Sequence, residues 1–181
     1  MEIRSDDGAR VRIRPVGYQP GIDPPDDPDV AALGWQDWLL IEVDARTADG
    51  QLWSHHYPSL LVEEARALGS WLHGQAAAAG GPNPPPAMVR FTEPNLALRT
   101  RVIRRRRLEL IVEFSAESLP PWMRRPATAI YPLVLTVSAD ALAVAAAQWV
   151  GHCEAYPPRT RSRFPADDPL LGSLSRRRRA S

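Results

Sequence analysis

Residues 88–114 read MVRFTEPNLALRTRVIRRRRLELIVEF, and this stretch decides the fold. Met88–Phe91 is short and apolar, and it is interrupted by the turn residues of Thr92–Asn95. Leu96–Ile103 then resumes as a second extended segment. Within Leu108–Phe114 every second residue is apolar, which is the period of a strand with one face on a core. Three strands in so short a stretch predict an antiparallel meander in the middle of a sheet.

Further strands and two helices are predicted on either side of the meander. Period-two patterns and a hairpin signal at Asp49-Gly50 predict four more strands, namely Arg10–Arg14, Trp35–Arg46, Gln51–Tyr57 and Ala129–Val137. The outward arginines of the first of these, followed by Pro15, indicate an edge strand. Two apolar stripes at helical spacing predict the helices, and they consist of Leu61, Ala65, Leu68 and Leu72, and of Leu142, Ala145, Ala146 and Trp149.

The ends of these helices carry recognisable signals. Ser59 is the predicted N-cap of the first helix, with Glu63 and Glu64 in its first turns and Gly74 near its end. Ser138 is the predicted N-cap of the second helix, which ends near Gly151–Cys153.

Together these elements predict an α+β protein with a mainly antiparallel sheet of about seven strands. The two helices are expected to pack on one face of that sheet. We expect one domain over residues 1–159, with an irregular loop at about 17–34 and an Ala/Gly/Pro linker at about 75–87. The polar, Arg-rich residues 160–181 are expected to form a disordered tail.

Composition excludes several functional classes. The formal net charge is +1, so no global field recruits nucleic acid. The only cysteine, Cys153, excludes an internal disulfide framework. No apolar run is long enough for a membrane span, and the first residues lack the pattern of a signal peptide. We therefore expect a cytoplasmic protein that does not enter a membrane.

The residues that could carry catalysis or bind a metal ion do not converge. His55 and His56 are adjacent in a strand and should point to opposite faces. His152, Cys153 and Glu154 should diverge around a helix end, and no zinc-type spacing accompanies them. We expect no catalytic residues, no metal site and no cofactor. The chain is therefore not expected to be an enzyme.

Tryptophan and arginine supply the best local indication of binding. Trp38, Trp71 and Trp149 lie in apolar patterns and are predicted to be core residues. Exposed tryptophan flanked by arginine is the composition of a protein interface, and residues 122–125 read WMRR. The candidate partner-binding residues are Trp35, Trp53, His55, Trp122, Arg124 and Arg125.

Two arginine runs leave an alternative function open. Arg104–Arg107 joins two predicted strands, and Arg176–Arg179 lies in the predicted tail. Either run could bind phosphates through counterion release, as in an Arg-mediated nucleic-acid-associated module. Few aromatic residues lie among these arginines to stack on bases. The acidic residues at Asp23–Asp29 cancel much of the positive electrostatic field of the arginines. Solvated charge is the favoured interpretation.

Several motifs together resemble a known family. They are Leu52-Trp53, Leu68–Leu72 (LGSWL), Phe91–Leu98 (FTEPNLAL), Glu117–Pro121 (ESLPP) and Tyr156–Arg159 (YPPR). Over residues Trp35–Arg159 the chain resembles the WapI-type immunity proteins of bacterial contact-dependent and polymorphic toxin systems. The acidic, Pro-rich loop before Trp35 and the Arg-rich tail lie outside the resemblance.

The resemblance implies a small, cytoplasmic, non-enzymatic α+β protein. Such proteins bind a cognate toxin domain and neutralise it by occluding its active surface. No binding residue carries over from the family motifs, so the contact residues named above are predictions from composition alone. The oligomeric state is open, and the charges of Arg10–Arg14 discourage a dimer through that strand.

Overall fold

The structure of the protein, a computed structural model, describes residues 1–20, 35–79, 87–104, 106–123 and 128–159. These residues form eight strands: β1 Glu2–Arg4, β2 Arg10–Tyr18, β3 Trp38–Arg46, β4 Leu52–Leu61, β5 Ala87–Arg90, β6 Leu96–Arg104, β7 Arg107–Ser115 and β8 Ile130–Ser138. They also form two α-helices, α1 Val62–Ala78 and α2 Ala139–Cys153, and two short 3-10 turns at Trp35–Asp37 and Ala116–Ser118.

The strands make two antiparallel sheets of four, each in chain order. The first sheet runs β1-β2-β3-β4 and the second runs β5-β6-β7-β8. The predicted α+β class with antiparallel strands and two helices is confirmed. The sequence patterns predicted one sheet and did not show its division into two. The division falls between β4 and β5, where α1 interrupts the succession of hairpins. β1 was also missed, since three residues are too short to show an alternating pattern.

The prediction of an edge strand at Arg10–Arg14 is wrong. β2 pairs with β1 on one side, where Glu2 lies opposite Arg12, and with β3 on the other, where Arg12 lies opposite Asp44. The outward arginines mark a solvent-facing side of an inner strand, where they meet carboxylates from β3. Pro15 is tolerated because the register shifts between it and Gly17.

The first helix begins later than predicted. Ser59 belongs to β4 and is fully buried, and its hydroxyl donates to the Tyr57 carbonyl at 3.1 Å. The N-cap is Leu61, whose N–H donates to the carboxylate of Glu64 at 2.9 Å. At the other end α1 continues past Gly74 to Ala78, because Gln75 and three alanines are good helix formers.

The second helix follows the prediction closely. The hydroxyl of Ser138 accepts a hydrogen bond from the Ala141 N–H at 3.1 Å, which confirms it as the N-cap. The helix ends at Cys153. The predicted stripe of Leu142, Ala145, Ala146 and Trp149 is buried throughout.

One core lies between the inner faces of the two sheets and the two helices. It contains the inward residues of the meander, confirmed as Leu108, Leu110, Val112 and Phe114, together with the buried stripes of α1 and α2. The helices pack against each other, with Trp149 of α2 donating from Nε1 to the Ala65 carbonyl of α1 at 2.6 Å. Of the three tryptophans predicted to be core residues, Trp149 is fully buried, whereas Trp38 and Trp71 are only half-buried.

Three segments named from the sequence fall partly or wholly outside the described residues. Of the loop at 17–34, Gly17 and Tyr18 belong to β2 and residues 21–34 are not described. Of the linker at 75–87, residues 75–78 belong to α1, residue 87 begins β5, and residues 80–86 are not described. The tail at 160–181 lies outside the described residues.

Candidate functional site

The structure places three of the six candidate binding side chains. Trp53 and His55 lie on the inner side of β4, opposite Ala45 and Val43 of β3, and each is only 7% exposed. Trp122, in the connection between β7 and β8, is 42% exposed. The side chain of Trp35 and the residues Arg124 and Arg125 lie outside what the structure describes.

Four aromatic side chains meet where the two sheets come together, and we call them the aromatic junction. Trp53 of the first sheet contacts Phe114, Trp122 and Tyr131, with ring centroids 5.1, 5.4 and 5.5 Å away. Trp122 also contacts Tyr131 at 6.3 Å. All four contacts are edge-to-face, the favourable geometry for aromatic rings. The exposed indole of Trp122 therefore stands on a rigid base.

The sequence predicts which strand faces carry these aromatic residues, but not that the residues meet. Alternation in β7 and β8 places Phe114 and Tyr131 on inner faces, but the contact with Trp53 joins residues of different sheets. No local pattern reports such a contact. Within the junction the Nε1 atom of Trp53 is buried and has no hydrogen-bond partner among the described residues.

His55 lies next to the junction in a mostly apolar setting. Its Nε2 is 3.4 Å from the hydroxyl of Ser59, and its ring centroid is 5.9 Å from that of Tyr57. Burial lowers the pKa of His55, and a hydrogen bond to the backbone of Glu117 together with the Glu117 carboxylate opposes that shift. The turn at Ala116–Ser118 is thus in contact with the inner side of β4.

The two family motifs around Asn95 and Ser118 are joined by hydrogen bonds to the backbone carbonyls of Pro94 and Asn95. The Asn95 carbonyl accepts from the Ser115 N–H at 3.0 Å and from the hydroxyl of Ser118. The Pro94 carbonyl accepts from the hydroxyl of Ser115. The FTEPN turn and the ESLPP turn therefore form one unit, which we call the motif turns.

A third contact ties the motif turns to the first helix. The carboxylate of Glu64 accepts from the Leu61 N–H at 2.9 Å and from the Thr92 N–H at 2.6 Å. One side chain thus caps α1 and fixes the start of the FTEPN turn. The side chain of Asn95 is fully buried, and its amide has no partner among the described residues.

The motif turns also carry two carboxylates, those of Glu93 and Glu117. Burial raises the pKa of Glu93, and the neighbouring charge of Glu117 raises it further. Neither carboxylate forms an ion pair with a described residue. By contrast, Glu109 and Glu113, which lie four residues apart on one face of β7, each pair with an arginine of β6, at 2.6 Å to Arg101 and 2.8 Å to Arg99.

His55 and His56 lie on opposite sides of β4, as the sequence predicts. His55 faces inward, whereas His56 is exposed and lies opposite Glu42. Burial raises the pKa of Cys153 to about 11, so its sulfur is a thiol at neutral pH and a poor nucleophile. In the described part of the chain no three His, Cys, Asp or Glu residues are grouped to hold a metal ion.

The arginine run at the β6–β7 connection is divided among partners. Arg106 pairs with Asp140 at the start of α2, and Arg107 pairs with Asp6. Arg106 and Arg107 therefore join neighbouring segments of the chain. Because both are paired with carboxylates, they do not form a continuous basic patch for nucleic acid. The other run, Arg176–Arg179, lies outside the described residues.

Comparison with protein families identifies the class to which the chain belongs. Residues 2–157 match the Immunity protein WapI-like family. The chain belongs to this family, which confirms the resemblance found in its motifs. The match also extends to β1 and β2 and spans the acidic loop before Trp35, a region that the motif resemblance left out.

Two further findings concern similar proteins and membrane-spanning helices. Searches for similar curated proteins and for similar solved structures gave no significant match. Neither described helix is long and apolar enough to cross a membrane.

Proposed function

We propose that this chain is an immunity protein that binds a cognate bacterial toxin domain in the cytoplasm and neutralises it by covering the toxin's active surface. The proposal includes no catalysis by the chain itself. The observation that carries it is membership of the WapI-like immunity family over residues 2–157. The toxin domain as binding partner and occlusion as the mode of inhibition are proposals that go beyond membership of the family.

Features of the described surface support a binding role. Trp122 presents an exposed indole on a rigid aromatic base, so little side-chain entropy is lost when a partner covers it. Aromatic side chains of this kind are enriched at the centres of protein interfaces. The candidate residues Arg124 and Arg125 follow Trp122 directly in the chain and remain predictions.

Co-expression with the toxin domain encoded beside this chain in its own genome tests the proposal. We expect survival of the producing cells and a one-to-one complex by size-exclusion chromatography with light scattering. Leu110→Asp is the control, because a charge in the fully buried meander should unfold the chain and abolish protection. Cell death in the presence of folded wild-type chain, with no complex, would refute the immunity role.

A binding assay in solution separates occlusion from other modes of inhibition. If the chain covers the active surface, a substrate or substrate analogue of the toxin should compete with the chain for the toxin domain. A complex that forms equally well in the presence of saturating substrate would leave binding intact and would refute occlusion.

A further inference from the structure

The outward side of the second sheet carries a connected row of side chains. Strand pairing places Met88 opposite Arg99, Arg99 opposite Ile111, and Ile111 opposite Val134, so the row crosses all four strands. Side chains that lie opposite each other on one side of an antiparallel sheet are within reach of one another. The inward residues that alternate with these lie against the core together with the buried stripes of both helices. The row therefore belongs to the side of the sheet that faces away from the core.

A groove of about 500 Å³ lies along this row. Ile111 is its apolar floor and is only 7% exposed, whereas Met88 and Val134 beside it are 40% and 43% exposed. Arg101, two residues after Arg99 on β6, also lines the groove. We call this surface the outer face, and its members are Met88, Arg99, Arg101, Ile111, Val134 and the exposed Ile130, which begins β8 on the same side.

Two arginines of the outer face are paired with carboxylates that are largely covered. The Nε atom of Arg99 is 2.8 Å from the carboxylate of Glu113, and a terminal nitrogen of Arg101 is 2.6 Å from that of Glu109. The arginine side chains are 47% and 65% exposed, but the glutamate side chains are only 15% and 20% exposed. The outer face thus presents guanidinium groups to the solvent more than it presents their counterions.

The outward side of the first sheet differs in this respect. Its pairs join Arg12 to Asp44 and Arg14 to Glu42. There the carboxylate side chains are 41% and 27% exposed, beside arginines that are 48% and 44% exposed. Both signs of charge are therefore accessible on the first sheet, whereas positive charge dominates on the outer face.

The two arginines of the outer face keep donors for a partner. An arginine carries five N–H donors. Among the described residues, Arg99 contacts Glu113 through Nε, and Arg101 contacts Glu109 through Nε and one terminal nitrogen. Because the carboxylates already hold the guanidinium groups in place, little side-chain entropy is lost when a partner binds them. Arginine is also enriched at the centres of protein interfaces.

This combination fits a protein partner that is both acidic and apolar. A carboxylate binds guanidinium groups through short charge-assisted hydrogen bonds, and an apolar side chain is stabilised by covering the groove and Val134. A second copy of the chain on this face would place arginine against arginine, which opposes association. A nucleic acid would set its phosphates and sugars against Ile130 and Val134, which offer no hydrogen bond.

We propose that the outer face is the surface on which the toxin docks, and that the docking segment of the toxin is acidic and apolar. A carboxylate of the toxin binds Arg99 and Arg101, and an apolar side chain beside it fills the groove over Ile111 and packs on Val134. This inference rests on the proposed immunity function and adds to it the surface and the chemistry of the partner.

Opposite charges placed at Val134 test the sign of the partner's charge. Val134→Glu and Val134→Lys both remove the apolar contact, at a site exposed enough to accept a charged side chain. Calorimetry measures binding of the purified toxin domain encoded beside this chain in its own genome to each full-length variant. Val134→Glu should weaken binding about hundredfold and Val134→Lys about tenfold, because only the glutamate repels a carboxylate of the toxin.

A double substitution of the arginines has a matched control on the other sheet. Arg99→Gln with Arg101→Gln should weaken binding about thirtyfold, because it removes the donors and leaves two carboxylates facing an acidic partner. Arg12→Gln with Arg14→Gln removes the same charges from ion pairs of the first sheet and should bind within about threefold of the wild type. Circular dichroism and thermal unfolding check folding, and the two Val134 variants decide the test if the Arg99/Arg101 variant does not fold.

The outcomes separate the inference from the function on which it rests. If the wild type binds the toxin and Val134→Glu binds equally well, another surface is used and this inference is overturned, while the immunity role stands. Equal losses in Val134→Glu and Val134→Lys would show that the partner is not acidic at this site, and they would also overturn the inference. If the wild type does not bind the toxin, both the inference and the immunity role are overturned.

The same variants test two other occupants of the outer face. A dimer of the wild type in analytical ultracentrifugation that Val134→Glu dissociates would assign the face to a second copy. Binding of RNA or DNA fragments that is lost in the Arg99/Arg101 variant but kept in the Arg12/Arg14 variant would assign it to nucleic acid. Either result overturns the inference.

Discussion

Two buried tryptophans lie in regions of opposite character. Trp149 sits between α1 and α2, where its Nε1 donates to the Ala65 carbonyl at 2.6 Å. The helices approach so closely that a Cβ atom on Gly69 would lie 3.3 Å from the Trp149 ring and 2.9 Å from Val150. Trp53 sits in the aromatic junction, where its Nε1 is buried without a described partner and its ring supports an exposed one.

The difference indicates what each region is built for. The helix contact satisfies its polar atom and leaves no room for another methyl group, so it serves the stability of the fold. Within the described part of the chain, the junction and the adjoining motif turns leave buried polar atoms of Trp53 and Asn95 without hydrogen-bond partners. Violations of this kind cluster at functional sites in natural proteins. Substitutions in the first region should therefore act mainly on stability, and those in the second mainly on binding.

The largest effect is expected for Trp149→Ala. Truncation of this fully buried side chain leaves a cavity between the helices and removes its hydrogen bond. We expect the free energy of unfolding to fall by about 3–5 kcal/mol, measured by urea denaturation. Val144→Ala on the same helix is the control, because Val144 is 58% exposed and should change stability by less than about 0.5 kcal/mol. Equal losses in both variants would show that the helix contact is not tight.

A pair of conservative substitutions compares the two tryptophans directly. Trp149→Phe and Trp53→Phe remove similar volumes from buried sites, but only the first removes a described hydrogen bond. Trp149→Phe should therefore cost about 1 kcal/mol more in free energy of unfolding than Trp53→Phe. If the two costs are equal, a water molecule or another group satisfies the Trp53 indole, and the contrast between the regions is smaller than the contacts indicate.

What the sequence could predict follows from the range of each interaction. The meander strands were predicted because alternation is local, and the Ser138 cap was predicted because the serine and its partner Ala141 are three residues apart. The interior position of β2 was not predictable, since it depends on pairing with both β1 and β3. Ser59 was misassigned because a hydroxyl at the start of an apolar stripe looks the same in a strand as in a cap.

The candidate site shows the same division between local and non-local information. Trp122 stays exposed, in keeping with its position in a turn between Arg-rich and Pro-rich residues. Trp53, also a candidate partner-binding residue, is buried against Phe114 and Tyr131 from the other sheet. The joining of the two motif turns depends on hydrogen bonds between segments that are distant in the chain, which no spacing in the sequence reveals.

Ser118→Ala tests whether the motif turns act as a structural unit. The hydroxyl of Ser118 is fully buried, accepts from the Ser115 N–H at 2.9 Å and donates to the Asn95 carbonyl. Its loss should lower the free energy of unfolding by about 1–2 kcal/mol. Ser70→Ala, at an exposed position of α1, should change it by less than about 0.5 kcal/mol. A neutral Ser118→Ala would mean that other contacts hold the turns together.

The smallest effect expected is a pH dependence that originates beside the junction. Burial lowers the pKa of His55 below its ordinary value of 6.5. Below about pH 6.5 the unfolded chain therefore binds a proton at this position while the folded chain still does not. The free energy of unfolding should fall as the pH falls from about 6.5 through the folded-state pKa, and this contribution to its pH dependence should vanish above that window.

The measurement is a comparison of urea denaturation at about pH 7 and about pH 5 for the wild type, His55→Gln and His56→Gln. Subtraction of the His55→Gln result cancels the titration of His152 and of the carboxylates, which both proteins share. His56→Gln should retain most of the wild-type loss, because burial of His55 is the largest cause of its lowered pKa and the charge of His56 is the smallest. If His55→Gln loses as much stability on acidification as the wild type, folding does not lower the pKa of His55, and the inner side of β4 is more hydrated than its burial indicates.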